Sequence, residues 1–143
     1  MDESSLLLRQ IPHSIEAEQS VLGAMLIDAR CIPDVVEALT GEDFYLKANR
    51  EIYETIYTMF NFSATIDPVT VLDQMKLTGV YDENTSRSYL LQLMEITPTA
   101  ANVKEYIRIV KDKALLRRIA ETAGELTTLV QEGGETAQAV LDL

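Results

Sequence analysis

Apolar residues recur three and four positions apart along almost the whole chain, and alternating β-branched runs are few, so the pattern predicts an all-α protein. After the extended lead-in Ile11-Pro12, Ser14 is placed to cap a first helix running to about Asp28. Glu16 lies in its first turn, where its charge meets the positive end of the helix dipole. Ile15, Leu22, Met25 and Leu26 share one face, and Gly23 within that stretch admits the close approach of another backbone. Pro33 to Leu39 reads as a short second helix stopped before Gly41. Tyr45, Ile52, Ile56, Met59 and Phe60 mark the buried stripe of a third, which ends at Asn61-Phe62-Ser63. Asp67-Pro68 starts a fourth, carrying Val71, Leu72 and Met75 and stopped by Gly79. Ser86 or Ser88 opens a fifth, with Tyr89, Leu90, Leu93 and Met94, and Thr97-Pro98 closes it.

The remainder differs in kind. From Ala100 to Gln131 there is no proline and one glycine, Gly124. Val103, Ile107, Val110, Ala114, Leu115, Ile119, Leu126, Leu129 and Val130 keep a helical period throughout. Such a helix is about 45 Å long at 1.5 Å per residue, against a radius of gyration of about 13 Å for a hundred-residue head, so it is expected to protrude. Gly133-Gly134 breaks it, and Glu135 to Leu143, with Ala137, Val140 and Leu141, reads as the return arm of a helical hairpin. The expected organisation is a lead-in and a head of five to six short helices over 1–99, then a hairpin over 100–143 whose return arm is unfinished. The chain therefore reads as a fragment of a longer protein.

Charge narrows the function. Twelve Lys and Arg against 23 Asp and Glu leave a net charge of −11, a potential that repels phosphate and anionic lipid, so autonomous nucleic-acid binding and membrane association are not expected. One cysteine, Cys31, and one histidine, His13, can form neither an internal disulfide nor a Cys/His zinc cluster. With no span of about 20 apolar residues and an acidic N-terminus, the chain reads as cytoplasmic. There is no G-x-x-x-x-G-K-[ST] or G-x-G-x-x-G, hence no nucleotide site. Glu16/Glu18 and Glu42/Asp43 are read as solvated faces, His13 as a solvated loop residue and Cys31 as a small buried hydrophobe. Tyr53, Tyr57, Tyr89 and Tyr106 read as packing residues, with an interface anchor as the functional alternative. Lys111, Lys113, Arg117 and Arg118 form the densest basic patch and read as a solvated face with local ion pairs. Leu6-Leu7-Leu8 and the stripe on the overlong helix stand out, because a lone hairpin in water buries too little to be stable. Both point to assembly.

The stretch Ile11-Pro12-His13-Ser14-Ile15-Glu16-Ala17-Glu18-Gln19-Ser20-Val21-Leu22-Gly23 resembles the opening of bacterial replicative DNA helicases of the DnaB family. The resemblance continues through Glu42-Asp43-Phe44-Tyr45, Asp67-Pro68-Val69-Thr70, Ser88-Tyr89-Leu90, Thr97-Pro98-Thr99-Ala100-Ala101-Asn102-Val103, Tyr106, Ile109-Val110 and Lys113-Ala114-Leu115-Leu116-Arg117-Arg118. It implies that this segment is the family's N-terminal domain and that a RecA-like ATPase, which would hold ATP and Mg, lies outside it. It also implies that such domains pair as dimers through their hairpins, three dimers forming a collar on a hexamer. That collar receives the primase C-terminal domain and, in some lineages, a helicase loader. Positions with suitable chemistry for the partner are Glu16, Tyr89, Arg117, Arg118 and Leu126, and for self-association Ile119, Leu126 and Val130. The chain itself would then be non-catalytic and bind no cofactor. Rival readings are a free-standing acidic helical adaptor and a small helical enzyme using carboxylates such as Glu16 and Glu18.

Overall fold

In the computed structural model, residues 11–143 are described, and among them every regular element is helical. The order is α1 (Ile15–Ile27), a 3₁₀ turn (Ala29–Cys31), α2 (Ile32–Ala38), a second 3₁₀ turn (Gly41–Asp43), α3 (Lys47–Asn61), α4 (Pro68–Thr78), α5 (Ser86–Glu95), α6 (Val103–Glu132) and α7 (Ala137–Leu141). Leu6-Leu7-Leu8 lies outside the described residues. Two units are distinguished: His13–Ala114, the head, and a second unit that includes Ile11, Pro12 and Leu115–Leu143. The 30-residue α6 contributes its first turns to the head and the rest to the second unit.

Local chemistry accounts for most of the boundaries. The Ser14 hydroxyl accepts the Ala17 N–H and caps α1. Asp67 accepts the Thr70 N–H while the Thr70 hydroxyl accepts the Asp67 N–H, a reciprocal cap at the start of α4, with Pro68 in the first turn. Gly79, with φ of 79°, supplies the left-handed residue that ends it.

Helix α1 is the centre of the head. Every residue from Val21 to Leu26 is buried, so it is apolar nearly all round, as a helix packed on several sides must be. Phe44, Ile32, Val35, Leu39, Ile52, Tyr53, Ile56, Val71, Met75, Leu90 and Leu93 close around it, joined by Val103, Ile107 and Val110 from α6. Gly23 sits where α1 meets α5: a Cβ there would collide with the Leu93 carbonyl oxygen and with Thr97 Oγ1.

Several expectations are corrected. Ile15, placed on the buried face, is 36% exposed, because in the first turn of α1 the head covers the side that carries Ala17 and Glu18. Tyr45 precedes α3 rather than marking its stripe, and its ring stacks on His13 with centroids 4.5 Å apart, so the histidine is half-buried instead of solvated. Glu18 and Asp43 are buried, not solvated. Asp43 accepts the Thr40 N–H at 2.8 Å and faces Lys111 Nζ at 3.4 Å, which ties the second 3₁₀ turn to α6 and gives Lys111 a partner far away in sequence. Cys31 is buried as expected, and burial pushes its thiol up to about 11, with Asp28 adding to the shift.

Candidate functional site

Glu18 would be costly to bury alone, yet it is 1% exposed, and its carboxylate is met by three donors. Oε2 accepts the Tyr45 N–H at 2.7 Å, and Oε1 accepts Asn49 Nδ2 at 2.9 Å and the Leu46 N–H at 3.4 Å. Asn49, itself buried, spends its amide oxygen on the Tyr89 hydroxyl, which in turn accepts Gln19 Nε2 at 3.3 Å. The bonds all run one way, from Gln19 through Tyr89 and Asn49 to Glu18. Each donor therefore polarises the next, and the two partners of Asn49 fix the orientation of its amide. Three helices, α1, α3 and α5, are tied by this chain.

The chain ends at the surface of the head, in an open groove of about 610 Å³ whose lining includes Gln19, Leu46, Ile52, Met75, Tyr89 and Gln92. Tyr89 is half-buried there, and its hydroxyl is pushed above the ordinary tyrosine range chiefly by burial. The nearby Glu18 raises it further, while the bonds to Gln19 and Asn49 pull the other way. The groove is a wall of side chains with a held phenol, an arrangement suited to binding a protein surface. The expected carboxylate pair is not formed here: Glu18 is occupied by structural donors, Glu16, on the same helix, is exposed, and the carboxylates that line the groove are Glu51 and Asp82. Among the described residues no three His, Cys, Asp or Glu side chains are grouped to hold a metal ion.

The other expected site residues fall in the second unit. On α6, Ile119, Leu126 and Val130 are spaced by seven and four residues and so share one face. Ile119 is 63% and Val130 67% exposed, Leu126 is half-buried, and Leu115 and Leu116 are also exposed. Arg117 is half-buried and donates from its guanidinium to the Pro12 carbonyl at 2.8 Å, whereas Arg118 is exposed. Gly133, with φ of 73°, ends α6, and the Thr136 hydroxyl caps the five-residue α7 by accepting the Ala139 N–H. From Gln131 to Leu143 only Val140 is even half-buried. Glu16 and Tyr89 thus belong to the head, and the arginines and Leu126 to the second unit. Sequence reasoning missed Gln19, Asn49 and Glu18 as the supports of Tyr89. For Glu18 a signal existed: it lies four and seven residues before Leu22 and Met25, on the apolar face.

No described helix is long and apolar enough to cross a membrane. The family model described as DnaB-like helicase N terminal domain matches residues 10–112. The replicative DNA helicase DnaB of Leifsonia xyli subsp. xyli is 38% identical over 135 residues, 94% of this chain and 29% of that protein. The replicative DNA helicase DnaC of Bacillus subtilis is 36% identical over 132 residues, 92% of this chain and 28% of that protein. The chain therefore spans less than a third of these relatives. Of solved structures, the N-terminal domain of DnaB helicase from Mycobacterium tuberculosis superposes with a TM-score of 0.86 at 36% identity, covering 93% of this chain and 94% of that one. The N-terminal domain of DnaB helicase from Helicobacter pylori, described together with its interactions with primase, has a TM-score of 0.70 at 20% identity over 92% of this chain and 99% of its own, a likeness of fold. On the match to most of its length and on the likeness to a solved domain that it covers almost entirely, the chain belongs to the DnaB-like helicase N-terminal domain family.

Proposed function

We propose that this chain is the non-catalytic assembly and docking domain of a hexameric replicative DNA helicase, working in the cytoplasm during DNA replication. In this reading 100–143 pairs with the same segment of a second copy, three such pairs form the collar, and the head and hairpin receive the primase C-terminal domain and, where one exists, a loader. ATP and Mg chemistry falls to the remainder of the helicase. Glu16, Tyr89, Arg117, Arg118 and Leu126 are the proposed partner contacts, with Ile119, Leu126 and Val130 for self-association. Family membership supports the reading, and so does the net charge of −11, which leaves DNA to other parts of the helicase.

The observation that carries it is the uncovered apolar face of α6. Fully burying a side chain of this kind is worth about 1.5–3 kcal/mol, so one copy of the three-residue stripe, in which Leu126 is already half-buried, offers less than about 9 kcal/mol. Association costs about 4–15 kcal/mol, and a single copy's stripe docked on an inert surface barely meets that. An apolar surface on the other side doubles the gain, and a second copy of this stripe in a two-fold pair supplies one. Concentration-dependent association is expected for the purified chain by sedimentation velocity, and Leu126→Asp should abolish it with helical circular dichroism unchanged. A wild type that is monomeric at every concentration, or an unaltered profile for the variant, would contradict the reading. The carboxylate-enzyme alternative, which named Glu16 and Glu18, is weakened, because the carboxylate of Glu18 is spent on Tyr45, Leu46 and Asn49.

A further inference from the structure

We propose that the groove between α4 and α5 is a separate docking surface of the head, and that its occupant is an acidic amphipathic helix of a partner protein. One wall is α4, where Pro68, Val69, Leu72, Asp73 and Lys76 recur at helical spacing along one side. The other is α5, with Arg87, Leu90 and Leu91, and the space between them is about 370 Å³. Leu90 is buried and forms the floor, while Val69 is 76% and Leu91 52% exposed, so apolar surface lines both rims. A groove with apolar side chains on both walls can accept the i, i+3, i+4, i+7 face of a helix. Leu91 lies two residues from Tyr89 on α5, which directs it about 200° round the helix from the Tyr89 groove, so the two surfaces are distinct.

Charge selects the occupant. Lys76 is the sole cation of α4 and Arg87 the sole cation of α5, and both stand on this groove, whose lining holds one carboxylate, Asp73. In a chain of net charge −11 this is a local reversal of sign. Arg87 also sits in the first turn of α5, the end at which the helix dipole disfavours a cation, and a carboxylate brought alongside would offset that cost. Lys76 is exposed, and its ammonium lies over the Tyr81 ring at 4.9 Å.

The test uses this chain and a fluorescein-labelled synthetic peptide of about 16 residues, long enough for a helix to form on binding, with leucines at i, i+3, i+4 and i+7 flanked by glutamates. A counterpart carries lysine in place of each glutamate. The glutamate peptide is expected to bind more tightly than the lysine peptide, with NMR shifts confined to Val69, Leu72, Leu90 and Leu91. Leu91→Glu, or Val69→Glu on the opposite wall, should weaken it about tenfold or more, and Arg87→Glu about fivefold with the remaining affinity less sensitive to salt. Circular dichroism verifies that each variant is folded. No binding up to about 1 mM peptide, the weak end of specific affinity, would overturn the proposal, as would equal affinity for the two peptides or shifts centred on Tyr89. Concentration-dependent shifts at Val69 and Leu91 without any peptide would assign the groove to a second copy of this chain and overturn it equally.

Discussion

Glu18→Ala is expected to lower the stability of the chain by about 3 kcal/mol or more, a large part of the 5–15 kcal/mol that holds a domain folded. The substitution removes an acceptor without removing its donors. The Tyr45 N–H and the Asn49 amide would be left unpaired around the vacated volume, and an unsatisfied buried donor costs about 1–3 kcal/mol. The Asn49–Tyr89 bond would then lose its anchor, loosening α5 against α3. Urea unfolding should show a lower midpoint with an unchanged slope. Glu18→Gln, of nearly equal volume, should fall between wild type and alanine, since its oxygen can still accept from Asn49 while its NH₂ is directed at the Tyr45 N–H. Equal stability of wild type and the alanine variant would mean that the buried carboxylate is dispensable.

Gly23→Ala sets two effects of opposite sign against each other. Alanine is the better helix former by about 0.5–1 kcal/mol, so propensity alone predicts a more stable α1. The added Cβ, however, meets the Leu93 carbonyl oxygen, a backbone atom that cannot rotate away, and the side chain of Thr97, which is itself buried with its hydroxyl unpaired among the described residues. Overpacking of this kind costs about 1–3 kcal/mol, and here it must part the central helix from α5. The packing cost is the larger, so the variant is expected to melt several degrees lower, at roughly 4 °C per kcal/mol for a domain of this size. A raised melting temperature would mean that the α1–α5 contact yields easily.

Where the determinants are local, the fold could be read from the sequence. Ser14, Asp67-Pro68, Gly79 and Thr97-Pro98 mark boundaries because each acts on its own backbone within a few residues. The two 3₁₀ turns also rest on local bonds, Arg30 N–H to Asp28 and Thr40 N–H to Asp43, but each is only three residues long and leaves no apolar period to read; what the sequence does not show is that the buried Asp43 meets Lys111, 68 residues on. Helix α6 begins at Val103 rather than Ala100 because Ala100–Asn102 form a turn first. The candidate site divides the same way. The spacing of Ile119, Leu126 and Val130 is visible in one dimension, whereas the support of Tyr89 comes from residues 40 and 70 positions away. Glu18 shows how a local rule misleads. An acidic residue in the first turns of a helix is ordinarily placed there for the dipole, and only its register with Leu22 and Met25 hints that it faces inward.

The central claim, that this chain receives the primase C-terminal domain through the head and α6, is tested most directly by titrating that domain from the cognate primase into the folded chain by calorimetry. Saturable binding is expected. Arg117→Glu should weaken it in a salt-dependent way, and Tyr89→Ala about fivefold or more, roughly 1 kcal/mol, with circular dichroism and melting recorded alongside because Tyr89 also holds Asn49 and Gln19. Saturable binding weakened by both substitutions in folded variants is the result predicted; absence of binding to the folded wild type would contradict the claim.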